Sequence, residues 1–261
     1  MRRGIIVTFF LLIHSVSFAA IIQVPGDYPT IGRAVKYAED GDTVLVSDGL
    51  YSGYGNEDIE FQGKAIEVAS INGPANCIIE GTSEYDPVFV FEDDEGLDSV
   101  ISGFTIRNCA RAVYCDGASP LIRGCIFSGA QNSAIKSSYN SQPVIRQCHF
   151  TGNCCSSGAA IYGSDLTVEE CSFEGNVSLG SGGAIYCSGS SVITNCSFTM
   201  NYAVQGGAIH VAAKGSVIGG AEDSGNSFNG NYAAIGTHIS ARSGLEEPID
   251  TRFNSFTGCQ T

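Results

Sequence analysis

A three-residue block, Cys-x-Phe, returns at near-fixed intervals: Cys125-Ile126-Phe127, Cys148-His149-Phe150, Cys171-Ser172-Phe173 and Cys196-Ser197-Phe198. The steps between its cysteines are 23, 23 and 25 residues. That period is too short for a pair of helices, and the residues between are rich in Gly, Ser and Asn. One such repeat cannot bury a core by itself, so the block predicts a solenoid of stacked repeats.

Each turn from Asp98 onward follows one template. An apolar residue (Ile122, Ile145, Val168 or Ile193) stands three before the cysteine, with Arg123-Gly124, Arg146-Gln147, Glu169-Glu170 or Thr194-Asn195 between. A step of three between inward positions breaks the strand period of two and places a corner there. Cys and Phe, two apart, both face inward. A polar bend follows, then a third strand: Ala112-Val113-Tyr114-Cys115, Ala134-Ile135-Lys136, Ala160-Ile161-Tyr162, Ala184-Ile185-Tyr186-Cys187 and Ala208-Ile209-His210-Val211. Three strands per turn and the right-handed rule for parallel crossovers give an all-β, right-handed parallel β-helix with three sheets. About seven turns follow Asp98 and about two precede it, so at about 4.8 Å per turn the rod is roughly 40 Å long. Phe228 and Phe256 continue the phenylalanine column, while Asn226 and Asn254 stand where cysteine is expected.

Residues 21–97 are irregular and read as the N-terminal cap and first turns, with residues 98–261 as the repeats. Ile31, Ala34, Val35 and Ala38 have helical spacing, which predicts a short amphipathic helix from Thr30, its N-cap, to Glu39. A helix there would cover the unpaired edges at the end of the rod. Thr43–Val46, Ile66–Ser70 and Cys77–Glu80 read as strands, and Asp48-Gly49 as a turn.

Residues 1–20 read as a cleaved secretory signal: Arg2 and Arg3, an apolar run from Gly4 to Ile13, then small residues at Ser17-Phe18-Ala19-Ala20. The apolar run is shorter than the about 20 residues of a membrane span; an uncleaved anchor is the alternative. The expected location is extracellular or at the cell surface, with no transmembrane segment after cleavage. Formal net charge is −14, which argues against nucleic acid and anionic membranes as partners. Eleven cysteines in an exported chain suggest disulfides, but stacked side chains pointing in parallel disfavour the disulfide dihedral. The repeat cysteines therefore read as small buried hydrophobes.

Two further motifs recur. Phe-x-x-Asn appears as Phe150-Thr151-Gly152-Asn153, Phe173-Glu174-Gly175-Asn176, Phe198-Thr199-Met200-Asn201 and Phe228-Asn229-Gly230-Asn231; Gly182-Gly183-Ala184-Ile185 and Gly206-Gly207-Ala208-Ile209 share the second. The pair resembles the repeats of the polymorphic outer-membrane proteins, β-helical surface proteins linked to adhesion. The segment from Tyr28-Pro29-Thr30-Ile31 through Asp40-Gly41-Asp42-Thr43-Val44-Leu45-Val46 to Gly49-Leu50-Tyr51 resembles the opening of secreted pectin-lyase-like right-handed β-helix proteins. These resemblances imply a fold rather than an activity, since such folds host lyases, hydrolases, esterases and adhesins. The signatures of pectin methylesterases, polygalacturonases and pectate lyases are not found, and the sequence has no Trp.

If Val113, Ile135, Ile161, Ile185 and Ile209 face inward, then Tyr114, Lys136, Tyr162, Tyr186 and His210 stack on the outside of one sheet. By resemblance to pectate lyases this sheet corresponds to the one that carries the substrate groove. Exposed aromatic rings with polar tips suit a glycan, although outward Tyr also simply stabilises exposed sheets. Lys136 and Arg146 are the basic residues expected near this ladder. The run Glu92-Asp93-Asp94-Glu95-Gly96-Leu97-Asp98 is rich in calcium-type ligands, but its spacing fits no calcium-loop template and it reads as a solvated turn. No cofactor is expected, with calcium as the alternative. His149, His210 and His238 occupy different repeat positions and do not converge on a metal. The repeating Asn of Phe-x-x-Asn reads as a side chain bonded to the backbone of the bend. The expected function is a non-catalytic surface protein presenting the ladder to a polysaccharide, a cell-surface glycan or another partner. The alternative is a carbohydrate-active enzyme, a polysaccharide lyase or hydrolase, working on the same face.

Overall fold

The computed structural model describes residues 19–138, 140–220, 224–242 and 254–257; the expected leader lies, up to residue 18, outside them. The repeat template folds as a parallel β-solenoid. One nine-stranded sheet runs from Ile21–Val24 to Val217–Ile218 and carries the apolar residue that precedes each corner. A second nine-stranded sheet, from Gly49–Ser52 to Ser255–Thr257, carries the phenylalanines. An eight-stranded third sheet, from Ile59–Glu60 to Ile239–Ala241, carries the expected ladder. Pairing between coils is parallel and in register, as in Ile122↔Ile145, Phe127↔Phe150 and Val113↔Ile135. Nine strands in each long sheet match the nine turns read from the sequence.

The number of sheets differs from expectation. The bend between the phenylalanine strand and the third sheet is itself extended in four coils, as Cys154–Ser157, Val177–Ser181, Tyr202–Gln205 and Tyr232–Ile235, and these form a fourth parallel sheet. Small residues at its inward positions, Cys155, Ser178, Ala203 and Ala233, let the backbone lie close over the core. The expected corner is present: Gln147, Glu170 and Asn195 each adopt positive φ, between 52° and 55°. The Gly-Gly-Ala-Ile motif has a steric cause. Gly182 has φ +69°, and a Cβ on Gly183 would run into the carbonyl oxygen of Gly207 in the next coil.

The core consists of columns. Phe127, Phe150, Phe173, Phe198 and Phe228 stack with centroids 4.7–4.9 Å apart. Offset ring stacking adds to their burial. Cys125, Cys148, Cys171 and Cys196 are buried beside them, and all ten cysteines among the described residues are free thiols. Their Sγ atoms contact the backbone of the preceding coil: Cys148 reaches Ile122 O at 3.7 Å and Cys171 reaches Ile145 O at 3.6 Å. Asn226 makes the equivalent bond to Ile193 O at 2.9 Å, which is why Asn substitutes for Cys in the last coils.

The asparagine reading is borne out and extended. Asn153, Asn176, Asn201 and Asn231 are buried. Each donates to the phenylalanine carbonyl of the preceding coil, as from Asn176 Nδ2 to Phe150 O at 3.1 Å. Each Oδ1 from Asn176 onward also accepts from the backbone N–H and the amide of the asparagine in the coil before. This amide ladder satisfies groups that burial would otherwise leave costly.

The capping helix spans Ile31–Tyr37, with Thr30 Oγ1 accepting from Arg33 N at 3.4 Å. It is shorter than expected because Ala38 is already extended (φ −67°, ψ 147°). Lys64 Nζ then donates to the carbonyls of Val35 and Lys36 at 2.8 and 2.9 Å, closing the helix end. Ile31, Ala34 and Val35 are buried as expected. The expected turn at Asp48-Gly49 is a bend at Asp48 alone, since Gly49 begins the strand Gly49–Ser52.

Candidate functional site: the outer face of the third sheet

Val113, Ile135, Ile161, Ile185 and Ile209 are fully buried, so strand alternation turns the next residue of each outward. Pairing puts Tyr114↔Lys136, Lys136↔Tyr162, Tyr162↔Tyr186 and Tyr186↔His210 side by side. The five residues named from the sequence therefore form one column, and Ser240 follows His210 in it.

The rings differ in presentation from the expectation. Tyr162 and Tyr186 stack at 4.9 Å and 4°, and Tyr186 and His210 at 5.2 Å and 25°. Side chains one strand spacing apart cover one another's faces. The column thus shows ring edges and phenolic hydroxyls to solvent rather than open rings. His210, expected to be exposed, is 5% exposed; the Tyr186 ring covers it on one side, and its Nδ1 lies 2.7 Å from Ser240 Oγ. Burial holds its imidazole below the usual range, which favours the neutral form.

Polar groups lie beside the column at Asp116, Ser138 and Ser188, while the equivalent Ser164 is buried with its Oγ donating to Ser138 O at 3.3 Å. Tyr114 Oη lies 3.4 Å from both Ser138 Oγ and an Asp116 carboxylate oxygen. At the N-terminal end the face becomes acidic. Burial and the nearby Glu60, Asp93, Asp116 and Asp58 carboxylates raise the Glu92 pKa. Glu95 does not belong to a solvated turn as expected: it is 3% exposed, and its carboxylate accepts from Gly63 N and Asp93 N at 2.8 and 2.9 Å.

The basic residues near the ladder also change. Arg146 sits on the first sheet, exposed, with Nε 2.6 Å from Glu169. Sequence reasoning missed Arg111 instead. Its guanidinium lies 5.5 Å from the Tyr114 ring centroid, a cation–π contact, and burial lowers its pKa. No spacing signal marked it, since a step of three along the strand Arg111–Cys115 puts it by alternation on the face opposite Tyr114.

A second concavity was not foreseen. An open cleft of about 1100 Å³ lies between the capping helix, which contributes Arg33, Lys36 and Tyr37, and the segment contributing Tyr54 and Asp58 from the loop and Glu60 from the strand Ile59–Glu60. Glu57 in its wall is structural. Burial alone would raise its pKa, but hydrogen bonds from Thr82, Ser83 and Gly53 outweigh that and hold it low. Among the described residues no group of three or more His, Cys, Asp or Glu is placed to hold a metal ion. No described helix is long and apolar enough to cross a membrane.

This architecture, a parallel β-solenoid with one polar-aromatic outer column, defines a β-helix protein. Residues 88–246 match the family model described as right handed beta helix region. The match covers more than half of the chain, which belongs to that family. No curated protein matches the sequence.

Proposed function

We propose that this is a non-catalytic, secreted or cell-surface β-helix protein whose third sheet presents Tyr114, Lys136, Tyr162 and Tyr186 to a glycan, with His210 packed against Tyr186 at the end of the column. The observation that carries this reading is the in-register column itself, flanked by Ser138 and Ser188. Over four consecutive coils it supplies three hydroxyls and one ammonium at a spacing of about 4.8 Å, close to the length of a sugar residue. Because the rings cover each other, recognition rests on hydrogen bonds from Tyr and Ser hydroxyls and on charge at Lys136, with ring edges as the apolar component. The leader-like sequence of residues 1–20 supports export, and the adhesin-like repeats support a surface role.

The test is retention on immobilised polysaccharides by the wild-type protein, Tyr186→Ala and Lys136→Ala. Both variants should weaken retention, with Lys136→Ala acting on acidic polymers alone. Wild-type retention that neither variant changes would move binding away from this face.

A further inference from the structure

The fourth sheet has an outer face unlike the rest of the rod. Strand alternation turns Val177 and Leu179, Tyr202 and Val204, and Tyr232 outward; Ile235, where the alternation ends, is exposed too, and these six are between 36% and 74% exposed. Val177, Tyr202 and Tyr232 form one column, with the two tyrosine rings 5.5 Å apart at 9°. The four strands contain no charged residue, in a chain of net charge −14.

Large side chains offer about 200 Å² each when fully exposed, so six at roughly half exposure present on the order of 600 Å². That is the upper end of the ~300–600 Å² usual for a monomer's largest apolar patch. It also approaches the ~800 Å² that each partner contributes to a standard interface. Met200, 67% exposed on the adjoining bend, lies at the rim.

We propose that this face is a self-association surface, on which a second copy of the chain docks through the same residues about a two-fold axis. Two copies at −14 repel one another wherever their charged faces meet. The uncharged fourth sheet is where that repulsion is weakest and the apolar gain greatest. A membrane surface fits less well, since the face is a narrow strip on a strongly acidic rod. A glycan fits less well because, beside the Tyr202 and Tyr232 hydroxyls, the six exposed side chains offer a sugar no hydrogen-bonding group. The fourth sheet adjoins the third, so a pair would carry two ladders on one particle, the geometry from which avidity arises.

The experiment is sedimentation equilibrium of the full-length protein over a concentration series at low and high salt. The weight-average mass should rise from monomer to dimer, and at lower concentration in high salt, which screens the repulsion. The double variant Leu179→Asp/Val204→Asp, with an unchanged circular dichroism spectrum, should remain monomeric throughout. Tyr186→Ala, on the other face, should dimerise like wild type. A wild-type protein that stays monomeric at every concentration overturns the proposal, whether or not it pellets with phosphatidylcholine vesicles. So does a dimer that survives the double variant or is lost in Tyr186→Ala.

Discussion

Replacing Phe173 with Ala removes a ring from the middle of the phenylalanine column. Its centroid lies 4.8 Å from Phe150 and 4.7 Å from Phe198, with planes 4° and 3° apart, and it is 1% exposed. Truncating a buried Phe costs about 3–5 kcal/mol where the surroundings relax only in part. Relaxation is restricted here, because in-register ladders fix the strands on both sides, and two ring stacks are lost together. The cost should fall in the upper half of that range. Phe256→Ala is the internal control: same column, one described ring neighbour in it at 5.1 Å, and 46% exposed. Its cost should be about 1–2 kcal/mol from the smaller area removed from water. The assay is urea unfolding followed by far-ultraviolet circular dichroism, with tyrosine fluorescence as second probe. At a slope of about 2–3 kcal/mol per M, Phe173→Ala should lower the midpoint by about 1.3–2.5 M. Equal shifts for the two variants, or a negligible shift at Phe173, would refute the column as the organising core.

Asn176→Ala should cost at least about 2 kcal/mol, because it strands the buried N–H and amide of Asn153 as well as removing its own bonds; an urea midpoint within error of wild type would contradict the amide ladder. Cys196→Asn should cost less than about 1 kcal/mol, since the column already accommodates Asn226 and Asn254 and the volumes are close, whereas Cys196→Leu should cost about 1–3 kcal/mol by overpacking. Burial pushes the thiols of Cys77, Cys109 and Cys187 up to about 12, so at pH 8 they stay protonated. Alkylation of the native protein, mapped by peptide mass, should label exposed Cys154 and spare the buried column; label on Cys148 or Cys171 would contradict that packing. Burial also lowers the pKa of His210 and His238. Below the ordinary histidine value of about 6.5 the unfolded chain binds protons that the rod does not, so these two residues make stability fall as pH drops from 7 towards 5. His210→Gln should flatten that fall, and an unchanged slope would mean that His210 is not shielded.

The sequence carried the fold because a solenoid writes its geometry as a period. Cys-x-Phe marks where the chain turns inward, and the corner residues before it mark where alternation breaks, so coils, register and core columns follow from spacing alone. The fourth sheet escaped because its outward residues, Val177, Leu179, Tyr202 and Val204, alternate over only three residues between Asn and Gly and so resemble a bend. The alternation was nonetheless present. The ladder was legible as a column for the same reason that the core was. What spacing could not supply is how side chains one strand apart arrange themselves. Tyr162, Tyr186 and His210 close on one another, which hides ring faces and buries the histidine. Glu95 was misread because a local run of carboxylates gives no sign that one of them turns back to bond Gly63 N.

The most direct measurement is incubation of the purified protein with a panel of acidic and neutral polysaccharides, with and without calcium. Unsaturated-product absorbance and reducing ends would be followed, then retention on the same polymers. Retention without product, weakened by Tyr186→Ala, is the predicted result. Released product would contradict a non-catalytic surface and make the third sheet the groove of a lyase or hydrolase.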